Sequence, residues 1–184
     1  MAFDEESGMT VLFGGAATAD RSLGDTWLFD GSSWRRVTGP APAARRYAAF
    51  GFDPYLRGCV LNGGNDDETG NRSFGDTWLF SGGTWTQLAR GFDTVLHDDH
   101  ALAYHRTAKR LIMFGGLGGP HGVQVREASG WQAVAATALP PRHQCSPLTW
   151  SDELDGLVLH GGEAHHEGRQ WDTTWVLRVA ADGA

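Results

Sequence analysis

A short apolar run closed by two glycines occurs four times in this chain: Val11-Leu-Phe-Gly-Gly15, Val60-Leu-Asn-Gly-Gly64, Ile112-Met-Phe-Gly-Gly116 and Val158-Leu-His-Gly-Gly162. The leading glycines, Gly14, Gly63, Gly115 and Gly161, are 49, 52 and 46 residues apart. A fixed period of that length is the mark of an array in which each unit is one supersecondary element that needs neighbours to bury its faces. Other positions keep the same phase. Eleven residues before each leading glycine stands an aromatic: Phe3, Phe52, Tyr104 and Trp150. After the glycines comes Gly24-Asp-Thr-Trp-Leu-Phe29, repeated as Gly75-Asp-Thr-Trp-Leu-Phe80 and in part as Asp172-Thr-Thr-Trp-Val-Leu177. Trp34, Trp85 and Trp131 close the first three units.

Each unit reads as four strands, a to d, rich in β-branched and aromatic residues and separated by Gly, Asp, Ser and Pro turns. In the second unit they run from about Tyr47 to Asp53, Gly58 to Gly63, Asp76 to Phe80 and Thr84 to Leu88. Glycine makes up 26 of 184 residues, about double the usual share, with no third-residue period. The pairs stand where the chain leaves strand b, and only glycine combines positive φ with close backbone approach there. The strand-c tryptophans, Trp27, Trp78 and Trp175, are expected to be largely buried between neighbouring units, where large rings cover the most area.

In its double glycines, following aromatic strand and later tryptophan, the chain resembles the kelch repeat family over essentially its whole length. The resemblance implies an all-β, kelch-type β-propeller with four blades of mostly four antiparallel strands, the last blade incomplete. One domain is expected over 1–184, with repeats at about 1–38, 39–90, 91–136 and 137–184. Departures from the pattern are definite. The third unit has Val123-Gln-Val-Arg-Glu127 in place of Asp-Thr-Trp, the first opens partway through strand a, and the fourth lacks strand d. The uncharged run Thr173-Thr-Trp-Val-Leu177 is then an open edge, the kind that pairs with another chain. The ring closes within one chain, across a homodimer joined by the open blade edges, or as part of a longer array.

Antiparallel alternation sorts the loops. The a-to-b and c-to-d connections share a rim and are short, such as Asp53 to Gly58 and Gly31 to Ser33. The b-to-c and d-to-a connections share the other and are long: Ala16 to Gly24, Asn65 to Gly75, Leu117 to Gly122, Glu163 to Trp171, Val37 to Arg46, Ala89 to Asp99 and Ala135 to Cys145. Long loops on a rigid scaffold are where function concentrates, and kelch propellers usually bind partners through this pair of loop sets. Seven of eight histidines, all but His105, fall on or beside the long-loop rim.

The expected function is binding of a protein or small-molecule ligand at that rim, with Arg45, Arg46, His97, Asp99, His143, His165 and Trp171 as candidate contacts. Arg45, His97 and His143 hold equivalent positions, and satisfying backbone carbonyls is an equally available role for them. Trp171 is the one tryptophan outside the repeat pattern; it offers a stacking surface for a sugar, aromatic ligand or peptide, or a plug for the unfinished blade. The alternative reading is a small bacterial enzyme with a His-rich site on the same rim. There His97, His100 and His143 would hold zinc, iron or copper. No cofactor is required by the first reading, and no nucleophile elbow, phosphate loop or dinucleotide fingerprint occurs.

Charge and composition narrow the partners. Fifteen Lys and Arg against 22 Asp and Glu give a net charge of -7, the wrong sign for a nucleic-acid surface. No run of 18 apolar residues and no basic, apolar leader is present, so neither a membrane partner nor export is expected. Cys59 and Cys145 supply no disulfide framework and no CxxC pair, which fits the cytoplasm. A single lysine and a single isoleucine beside abundant alanine and arginine fit a GC-rich bacterial coding bias.

Overall fold

The computed structural model describes residues 1–18, 21–66, 72–89, 98–117, 122–141, 144–164 and 168–179. Those residues form strands and turns, with no helix long and apolar enough to cross a membrane. The fold is all-β: four small antiparallel sheets, each built as a propeller blade, two in each of two compact units, Met1–Asp98 and Asp99–Ala184.

In the first unit, blade one is ordered a-b-c-d, with Ala2–Asp4, Met9–Phe13, Thr26–Phe29 and Trp34–Val37. Blade two repeats that order with Ala49–Asp53, Gly58–Asn62, Thr77–Ser81 and Thr84–Ala89. In the second unit, blade three comprises Asp98–His105, Arg110–Leu117, Val123–Glu127 and Gly130–Val134. Its strand c lacks the Asp-Thr-Trp run yet pairs in the same phase, Phe114 opposite Val123 as Phe13 is opposite Thr26. Alternation, rather than that run, is therefore what makes the strand. Blade four has three strands, Leu148–Ser151, Gly156–His160 and Thr174–Leu177, with strand c at the edge.

The short a-to-b turns are closed by one device in all four blades. The last residue of strand a turns a side-chain acceptor back onto the turn amides, an Asx-type bond. Asp4 accepts Glu6 N at 3.1 Å, and Asp53 accepts Tyr55 N at 2.9 Å. Ser151 Oγ accepts Leu154 N at 3.3 Å, and His105 Nδ1 accepts Ala108 N at 3.2 Å. His105 thus does the work of an aspartate. Burial lowers its pKa, against the opposing charge of Asp155 and backbone bonds at Leu177 and His105, which favours the unprotonated Nδ1 that the turn needs.

Each unit has its own core. In the first, Val11, Leu28, Cys59 and Phe80 are buried together, and the strand-d ring of Trp85 packs on them. That ring meets Phe13 edge-on at 5.0 Å, stacks on Phe50 at 5.9 Å and lies tilted on Phe80 at 5.1 Å, while its N–H donates to Thr26 Oγ1 at 2.9 Å. It therefore joins blade two to blade one. In the second unit Ile112, Phe114, Val123, Leu157 and Leu159 form the core. The strand-c tryptophans depart from expectation: Trp27, Trp78 and Trp175 are only half-buried. Their indole N–H groups are turned to Asp25 at 2.6 Å, Asp76 at 2.7 Å and Thr173 at 3.3 Å. An indole whose N–H must reach a polar rim residue cannot also sit wholly inside an apolar interface, so strand d supplies the buried ring.

Candidate functional site

Three of the b-to-c loops are more ordered than their sequences indicate. Ala16–Thr18 pairs with Arg21–Ser22, Asn65–Asp66 with Arg72–Ser73, and Glu163–Ala164 with Arg169–Gln170, each as a small hairpin standing on a glycine pair. Each hairpin is pinned at its base by one bond: Leu23 N to Gly15 O, Phe74 N to Gly64 O and Trp171 N to Gly162 O, at 2.8, 2.8 and 2.9 Å. Trp171 therefore does occupy a repeat position, the one filled by Leu23 and Phe74. The identity was hidden because the three loops differ in length.

Alongside the hairpins run the ends of the d-to-a segments. Arg45 N donates to Leu23 O at 3.0 Å and Gly15 N to Arg45 O at 2.9 Å, while Arg46 exchanges both backbone bonds with Asn65, each 2.9 Å. This two-residue strap sews blade one to blade two. Gln144 makes the same exchange with Glu163 at 2.9 and 3.1 Å. The strap explains the glycines. A Cβ on Gly14 would lie 2.5 Å from Arg45 O, and one on Gly64 would lie 2.6 Å from Arg46 O, both closer than van der Waals contact allows, at φ of +65° and +88°. Just past the strap the chain kinks through left-handed backbone at Tyr47, Asp99 and Cys145, with φ of 57°, 56° and 54°, and enters strand a.

The candidate contacts divide by chemistry. Arg45 is 1% exposed, and its guanidinium faces inward. It donates to Ala43 O at 3.1 Å, to Gly63 O at 3.0 Å and to both oxygens of Asp76 at 2.5 and 3.1 Å, and it lies 3.9 Å over the Phe74 ring. That is an internal staple, with carbonyls and one carboxylate as its partners. Burial raises the pKa of Asp76, but the bonds and charge of Arg45 and the bond from Trp78 outweigh it and hold the carboxyl below its ordinary range.

Arg46 is half-buried, with its guanidinium 5.2 Å over the ring of Tyr47, which is 49% exposed. Trp171 is half-buried, and the exposed Arg169 lies 5.4 Å over its ring. Asp99 is half-buried, and its carbonyl accepts Cys145 N at 3.1 Å. His100, on strand a of blade three, is buried. His97, His143 and His165 lie outside the described residues. Among the described residues no group of three His, Cys, Asp or Glu side chains is placed to hold a metal ion. Sequence reasoning missed Asp76, Phe74, Tyr47 and Arg169. The first two could have been found by extending the repeat alignment one step to either side of Gly75.

The chain matches no protein-family model and no curated protein sequence.

Proposed function

We infer that this is a kelch-like propeller that binds a protein or small-molecule ligand at the rim carrying the b-to-c hairpins and d-to-a straps. The supporting observation is the pairing of a guanidinium with an aromatic face at two repeat-related places on that rim. These are Arg46 with Tyr47 in the first unit and Arg169 with Trp171 in the second. A partly solvated ring gives a stacking plane, and the adjacent guanidinium gives a planar fork of donors for a carboxylate or carbonyl. Both pairs stand on laddered backbone, so little ordering would be needed on binding, which is the advantage of a preorganised surface. Cys59 and Cys145 are both unpaired thiols; a reducing compartment suits them, and we place the protein in the cytoplasm as part of the same reading.

The test is a panel of oligosaccharides, aromatic carboxylates and carboxylate-bearing peptides screened by thermal shift, with hits titrated against variants. A rim ligand loses at least tenfold in affinity in Trp171→Ala or Arg46→Ala and keeps it in Tyr55→Ala. Tyr55, 86% exposed, lies in an a-to-b turn on the opposite rim. Hits that respond to Tyr55→Ala and ignore both rim variants would reject this function.

A further inference from the structure

The ring of Trp85 identifies a vacancy elsewhere in the chain. It is held by Phe13 and Thr26 of blade one and by Phe50 and Phe80 of its own blade. Register gives the equivalents of all four in the second unit. Phe114 faces Val123 as Phe13 faces Thr26. Leu148 faces Leu159 as Phe50 faces Leu61, and Leu177 faces Leu157 as Phe80 faces Cys59. Phe114, Val123, Leu148 and Leu177 all line one apolar cleft of about 50 Å³ between blades three and four. That cleft is the socket of a strand-d tryptophan in the one blade that has no strand d. Leu139, packed against the same core, borders it and is the side chain that must yield to a full indole.

The backbone beside the socket is also open. Gly161 N donates to Thr173 O at 3.1 Å. The pairs Leu159 with Trp175 and Leu157 with Leu177 share that phase, so the N–H and C=O of Thr174 and Val176 point away from strand b. In blade two the equivalent outward groups, on Leu79, meet Thr86 of strand d.

We propose that blade four captures an extended strand from a partner polypeptide, antiparallel to Thr174–Leu177, with a tryptophan opposite Leu177. A ladder supplies affinity in such strand addition and a side-chain pocket supplies selectivity. Strand d of blade two, with Trp85 opposite Phe80, is the chain's own template for the occupant. A second copy is the poorer donor. The tryptophan-bearing strands Trp34–Val37, Thr84–Ala89 and Gly130–Val134 are each already paired with their own strand c, so a copy would have to dismantle a blade to offer one. Ala180-Ala-Asp-Gly-Ala184 has no aromatic side chain to give.

The probe is a fluorescein-labelled peptide with the sequence of residues 82–89, Gly-Gly-Thr-Trp-Thr-Gln-Leu-Ala, followed by anisotropy against the whole chain. Saturable binding is expected. It should weaken at least tenfold when the peptide tryptophan is alanine, and again when the threonine after it is proline, because that N–H faces strand c. Neither change touches the protein's own folding. In the protein, Val176→Pro removes an outward N–H at an edge, where proline is tolerated, and should abolish binding with the melting temperature retained. Equal affinity for the alanine peptide, no binding at about millimolar peptide, a weak affinity by any standard, or undiminished binding to folded Val176→Pro each overturns the proposal. So does a reversible dimer that Val176→Pro dissociates in the absence of peptide capture, since that outcome assigns the edge to a second copy.

Discussion

Asp25 and Asp76 stand one residue ahead of strand c in blades one and two, and each accepts its own blade's indole N–H, at 2.6 and 2.7 Å. Only Asp76 also receives a guanidinium, in two bonds from Arg45 of 2.5 and 3.1 Å; among the described residues none reaches Asp25. Replacing each aspartate by alanine therefore separates the ion pair from the indole bond within one protein. Asp25→Ala removes a single charge-assisted bond at a half-buried site, worth about 1–2 kcal/mol. Asp76→Ala removes the same bond and leaves the Arg45 charge, 1% exposed, without its counterion. Breaking one side of a buried pair costs about 3–5 kcal/mol, and the 17% exposure of Asp76 lets water reach the gap, so the lower end applies. The expected difference is about 3 kcal/mol, read by urea unfolding with an unchanged slope, or as roughly 6–12 °C in melting temperature at this chain length. The pH dependence has a definite sign. With the folded pKa of Asp76 depressed below its ordinary 3.8, its contribution is full above that value and is lost as pH falls through the folded pKa. The gap between parent and Asp76→Ala should hold from neutral pH to about 4 and close below it. Equal costs for Asp25→Ala and Asp76→Ala at pH 7 would refute the argument, because they would mean the buried pair contributes nothing net.

Trp85→Ala should destabilise by about 3–5 kcal/mol, as for other large core aromatics. Trp34→Ala, at a ring 46% exposed that touches Phe29, should cost under about 1 kcal/mol; chemical denaturation distinguishes them, and reversed ranks would show that the interblade contact is misassigned. Gly14→Ala should be far worse than Gly8→Ala, since both have positive φ but only Gly14 would drive a Cβ into a backbone carbonyl, at 2.5 Å from Arg45 O. Comparable melting temperatures would mean that the strap is not held against the glycine pair. Burial, with a smaller push from Asp4 and an opposing pull from the N-terminus, raises the Cys59 thiol to about 12. A neutral-pH thiol titration of the folded protein should therefore count one fast thiol, the exposed Cys145, and a second only after denaturation; two fast thiols would place Cys59 at the surface.

The repeat made the blades legible because two requirements coincide at one sequence position. The glycine pair must bend left-handed, and it must leave room for a strap arriving from the preceding blade; no other residue meets both, so the pair stays in phase through all four units. Side chains with only one requirement were harder to read. The strand-c tryptophans recur most visibly in the sequence, yet they recur because an aspartate or threonine two residues earlier takes their N–H, and that bond holds the ring toward the rim rather than in the core. Trp85 carries the interblade contact from a strand whose neighbours, Thr84 and Thr86, look like ordinary exposed edge residues. Arg45 was legible as a rim position but not as an inward one, because its partner Asp76 is 31 residues away and belongs to the next blade. The same logic makes the missing strand informative. In the first unit a tryptophan from strand d fixes how two blades pack, so its absence from blade four takes away an outer strand and also the ring that fills the space behind it. Phe114, Val123, Leu148 and Leu177 retain the apolar character needed to hold such a ring. A blade that had simply ended would be under no physical requirement to keep that wall dry, whereas one that is completed by a strand from elsewhere must keep it so.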